Sequence, residues 1–67
     1  MKAREVEAIL KRYGFELIFQ KGSHRKWRNI DLGLQVIVPE HQGKDLPIGT
    51  LRGILRGGQI PDSEWRS

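Results

Sequence analysis

The apolar residues of this chain change spacing twice, from a helical period to a period of two and back, and that change sets what the chain can fold into. Val6, Ile9, Leu10 and Tyr13 form an i, i+3, i+4, i+7 stripe backed by Lys, Arg and Glu, which predicts a helix over 3–13. Gly14 follows where a helix end favours a residue tolerant of positive φ. From Phe15 the period is two. Phe15, Leu17 and Phe19 alternate with Glu16, Ile18 and Gln20, the pattern of a strand with one buried face. Lys21-Gly22-Ser23 reads as a turn, 24–29 as a second strand, Asp31-Leu32-Gly33 as another turn, and 34–38 as a β-branched third strand stopped by Pro39. After a polar loop over 40–46, a second helix starts near Pro47 with Asp45 placed to cap it or favour its dipole. Ile48, Leu51, Ile54 and Leu55 are its apolar stripe, and Gly57-Gly58 ends it. In the tail, Ile60 and Trp65 are placed to fold back on the core, with Asp62-Ser63-Glu64 as a short helical turn.

Short connections make the strands an antiparallel meander. The expected class is α+β: a three-stranded antiparallel sheet with two helices on one face, in the α-β-β-β-α order of double-stranded-RNA-binding domains. With 67 residues the chain allows one domain, 1–67, and a thin core. It has no cysteine, so neither a disulfide nor a thiolate zinc site supplements that core. His24 and His41, its two histidines, lack ligand spacing, and no metal or other cofactor is expected.

Twelve Lys and Arg against eight Asp and Glu leave a formal charge of +4, which favours nucleic acid as a partner over an anionic membrane surface. No apolar run approaches ~18 residues. Met1-Lys2-Ala3-Arg4-Glu5 reads as the opening of a polar helix rather than a signal sequence, so a cytoplasmic protein is expected.

Period two also assigns facing. Trp27 is the lone large apolar side chain of the second strand and is expected to point at the helices, with Arg25 and Asn29 near the rim. His24, Lys26 and Arg28 then point to the uncovered face, with Lys21 just before them. Phe19 and Trp27, in the buried register, read as core rather than as stacking platforms. A lone exposed histidine is ordinarily a polar surface residue, and a cationic strand face is ordinarily just solvated. Here a small turn, a histidine at the strand start and Lys21, Arg25, Lys26 and Arg28 coincide within eight residues.

Lys21-Gly22-Ser23-His24, followed by a strand with Trp27, resembles the HicA family of bacterial toxin ribonucleases. Val38-Pro39-Glu40-His41-Gln42-Gly43-Lys44 is similar to that family's proline-histidine-glycine loop. Gly49-Thr50-Leu51-Arg52-Gly53-Ile54-Leu55-Arg56 is similar to its second helix. The resemblance runs from the first helix to about Ile60. It implies the toxin of a type II toxin–antitoxin system: a ribosome-independent endoribonuclease that cleaves mRNA and is masked by an antitoxin of the HicB family. It also implies that His24 is the functional histidine.

Single-stranded RNA carries its own nucleophile, the 2′-OH. An imidazole, with an ordinary pKa near 6.5, suits removal of that proton, and nearby cations favour its neutral form. His24 is therefore read as general base, with Lys21, Lys26 and Arg28 stabilising phosphate charge. Ser23 either orients the phosphate or holds the turn. His41 and Lys44 are read as RNA-contacting loop residues, with His41 a second candidate for proton transfer and the general acid left open. A two-metal route is not expected from such dispersed acids. Arg52 and Arg56 form a second basic patch, either solvated or contacting phosphate or an acidic antitoxin. The free protein is expected to be a monomer. The alternative reading is a non-catalytic module of the double-stranded-RNA-binding type, and a third is a degenerate toxin that only titrates its partner.

Overall fold

A computed structural model describes residues 1–40 and 42–66. The elements are α1 (Ala3–Arg12), β1 (Glu16–Lys21), β2 (His24–Asn29), β3 (Leu34–Pro39), α2 (Ile48–Gly57) and a 3₁₀ turn at Asp62–Glu64. The strands form one antiparallel sheet in the order β1-β2-β3. The α+β, α-β-β-β-α arrangement is thus the one the hydrophobic periods predict.

Both helices bury their stripes against one face of the sheet. Val6, Ile9 and Leu10 of α1 and Leu51, Ile54 and Leu55 of α2 meet Trp27, Val36 and Val38 in a single core closed by Phe15, Leu46 and Ile60. Gly14 turns the chain from α1 into β1 with φ 87°, and a Cβ there would stand 3.1 Å from the Asn29 amide nitrogen. That amide donates to Tyr13 O at 2.8 Å, while Asn29 Oδ1 accepts Leu32 N–H at 3.0 Å. Asn29 is therefore buried, not at the rim, because both ends of its side chain satisfy backbone groups of the flanking turns.

The facing of β1 departs from simple alternation. Leu17 pairs with Trp27 but Phe19 pairs with Lys26, so Ile18 is the extra residue of a β-bulge. One inserted residue reverses the facing of everything beyond it. Phe19 consequently lies on the open face, 56% exposed, and is not a core residue.

The start of α2 also differs in detail. Ile48 is 56% exposed and lines a surface depression with Met1 and Trp65 instead of entering the core. Pro47 is the N-cap, and no side chain caps the helix. Asp45 does not serve there, because its segment is drawn to the N-terminus: Asp45 bridges Lys2, its carboxylate lies 3.6 Å from the Met1 amine, and Leu46 N–H donates to Met1 O at 2.8 Å.

The tail folds back as its apolar residues predict. Ile60 is buried and Trp65 packs against the core. Tyr13 Oη donates to Glu64 Oε2 at 2.7 Å, and the Arg12 guanidinium pairs with the other oxygen. The Tyr13 hydrogen bond, and then that of Arg12, hold the Glu64 carboxyl below its usual range. The same hydrogen bond to Glu64 raises the Tyr13 phenol above its usual value.

Candidate functional site

The facing of β2 is settled by what lies under the sheet. Glu7, buried on α1, accepts the Trp27 indole N–H on Oε2 at 2.8 Å and an Arg25 guanidinium N–H on Oε1 at 2.9 Å. Both residues of the pair are thereby held on the helix side. Arg25 is not part of the open cationic face.

His24, Lys26 and Arg28 then project from the uncovered face of the central strand, and their cross-strand partners complete three rows. His24 stands between Lys21 of β1 and Pro39 of β3. Lys26 stands between Phe19 and Ile37, and Arg28 between Glu16 and Gln35. Side chains directly opposite on an antiparallel pair have Cβ atoms ~5 Å apart, and successive rows lie ~6.6 Å apart along the strand. Lys21 is therefore the cation nearest the imidazole by register, Lys26 is one row away, and Arg28 is about 13 Å along the strand from His24. Arg28 is also engaged: its Nη2 and Nε donate to Gln35 Oε1 at 3.0 and 3.3 Å.

The first two rows enclose a shallow groove of ≈ 610 Å³, lined by Phe19, Lys21, Ser23, His24, Lys26 and Ile37 with the turn glycine. The tight turn makes this possible. Gly22 holds φ 57° at the first loop position, as in the II′ turns that suit hairpin twist. Lys21 and His24 are thus paired directly across the two-residue loop.

Ser23 links this groove to the loop after β3. Its carbonyl accepts Glu40 N–H at 2.7 Å, and Glu40 Oε1 in turn accepts Gly43 N–H at 2.9 Å. On the far side of Ser23 lies a second depression of ≈ 620 Å³, lined by Ser23, Glu40, Gln42, Lys44, Asp45 and Pro47. The residues singled out in the sequence therefore divide by place. Lys21, Ser23 and Lys26 share the groove with His24, Lys44 lies in the adjoining depression, and Arg28 lies beyond the groove. His41 falls outside the described residues.

Such a site can bind an anion and move a proton. It offers an exposed imidazole, the exposed Lys21 ammonium group and the half-buried Lys26, with no acidic side chain among the described residues of the groove lining. Among the described residues, no three His, Cys, Asp or Glu side chains gather in a way that could hold a metal ion. Two groove residues, Phe19 and Ile37, are not among the site residues anticipated from the sequence. Ile37 follows from the register of β3 once Val36 and Val38 are buried. For Phe19 the available signal is the run Leu17-Ile18-Phe19, three consecutive large apolar residues that no strictly alternating strand would bury together.

A family model described as the HicA toxin of bacterial toxin–antitoxin systems matches residues 3–59, most of the chain and all five main elements. Comparison with individual curated proteins finds no significant match.

Proposed function

This chain belongs to the HicA toxin family, and on that premise we propose that it is a ribosome-independent endoribonuclease that cleaves mRNA, with His24 as general base. The observation that carries this reading is the placement of His24: opposite Lys21, at the turn end of an uncovered sheet face, in a groove shared with Lys26.

In the proposed reaction the scissile phosphate lies against Lys21 with the preceding ribose over His24. The neutral imidazole takes the 2′-OH proton as the 2′-oxygen bonds to phosphorus. Lys21 and Lys26 offset charge on the non-bridging oxygens as the phosphorane forms. The bond to the 5′-oxygen breaks, leaving a 2′,3′-cyclic phosphate and a 5′-hydroxyl, the latter taking its proton from an acid such as water, Lys21 or His41. Arg28, two rows from His24, is too far along the strand to share that phosphate and contacts one about two nucleotides away. No step calls for a metal.

The physiological substrate in this reading is single-stranded mRNA in the cytoplasm, and the toxin is the free monomer. An antitoxin of the HicB family silences it by covering the open face. No helix among the described residues is long and apolar enough to cross a membrane.

The test is incubation of the purified chain with end-labelled single-stranded RNA in the presence of a chelator. Internal cleavage to fragments ending in 2′,3′-cyclic phosphate is expected. Tight binding of duplex RNA without cleavage of either substrate would replace this reading with a non-catalytic binding module.

A further inference from the structure

We propose that Phe19 is a stacking platform for one base of single-stranded RNA, seating that nucleotide beside the phosphate that lies against Lys21. The inference rests on the ribonuclease reading of the same groove and names how it grips its substrate.

The bulge at Ile18 turns Phe19 out of the core and into the middle row of the open face. Bulges recur beside functional sites, where they re-aim a side chain. The ring is one row, ~6.6 Å, from the His24–Lys21 pair, about the length of one extended nucleotide. Its surroundings match a nucleic-acid base better than a protein partner. Lys26 sits between Phe19 and Ile37, its ammonium 5.9 Å from the ring centroid. Protein–protein interfaces exclude charge from the centre of the apolar patch, especially lysine. An aromatic face flanked by cations that track a phosphate backbone is instead the usual grip on a single strand. Lys26 has a flexible stem and can move from the ring to a phosphate when a base arrives.

The probe is a short oligouridylate with 2-aminopurine at one position in turn, bound to His24→Ala protein so that it is not cut. Stacking on Phe19 predicts fluorescence quenching at one position. Phe19→Ala should abolish that quenching and weaken binding about ten- to hundredfold, whereas Phe19→Trp keeps both. The quenching in the parent needs no Phe19 variant, so it stands as a readout even if Phe19→Ala folds poorly. If the wild type cleaves RNA but Phe19→Ala binds and quenches as the parent does, the stacking proposal is overturned while the ribonuclease reading stands. Unchanged RNA binding by Phe19→Ala together with lost antitoxin binding overturns it in favour of protein docking. RNA that the wild type neither binds nor cleaves overturns both.

Discussion

The indole N–H of Trp27 donates to Glu7 Oε2 at 2.8 Å beneath the central strand, on the face of the sheet opposite His24. Both oxygens of Glu7 are used, the second by Arg25 at 2.9 Å. Glu7→Ala leaves the indole N–H unpaired inside the protein and the guanidinium, about a third exposed, to rehydrate. A loss of about 2–3 kcal/mol in urea denaturation is expected, below the range for breaking a fully buried ion pair. Glu7→Gln, which keeps an acceptor for one donor, should lose less.

The bulge at Ile18 makes opposite predictions for Phe19 and Trp27, two aromatic residues that strict alternation would bury together. Trp27→Ala should cost about 3–5 kcal/mol, since it empties the core beneath the sheet. Phe19→Ala, at an exposed position, should cost less than about 1 kcal/mol. Equal losses for the two variants in denaturation experiments would place Phe19 in the core and remove the bulge from the account.

These two residues also show what the sequence could and could not reveal. Trp27 is isolated among polar neighbours, so burial of that one side chain decides the facing of His24, Lys26 and Arg28, and the structure agrees. Around the start of β1 Phe15, Leu17 and Phe19 are apolar and so is Ile18, so the composition of the strand does not say where its parity breaks. Facing there is decided by pairing with β2. Arg25 illustrates a second gap: its charge is visible in the sequence, but its removal from the open face depends on Glu7, eighteen residues earlier in the chain. Asp45 illustrates a third, because its competing partner is the chain's own N-terminal amine.

The Tyr13–Glu64 contact gives the tail a defined pH window. Glu64 has its pKa lowered in the folded state, so its contribution is complete above the ordinary carboxyl value of 4.5 and is lost as pH falls through the lowered value. Tyr13 has its pKa raised, so its contribution is complete below the ordinary phenol value of 10.0 and is lost as pH rises through the raised value. Trp65 packs on the same tail and reports it. Its indole resonance should be constant between those limits and shift outside both, and Tyr13→Phe should remove the alkaline change.

Salt dependence separates the cations by place. For single-stranded RNA each phosphate contact contributes ~0.7 to the slope of log K against log salt. Lys21→Gln, Lys26→Gln and Arg28→Gln should each lower the slope by about that amount. Arg25→Gln, on the helix side, should leave the slope unchanged and lower stability instead. Lys44→Gln reports whether RNA passes over Ser23 into the second depression: a lowered slope is expected if it does.

The central claim is that His24, opposite Lys21 on the open face, moves the proton in RNA cleavage. The most direct measurement is the single-turnover cleavage rate of single-stranded RNA by wild type and His24→Ala, with chelator present and affinity measured alongside. A rate loss of about 10²–10⁴ is expected, with RNA affinity changed only a few-fold and thermal unfolding unaltered. Cleavage by folded His24→Ala within a few-fold of wild type would contradict it.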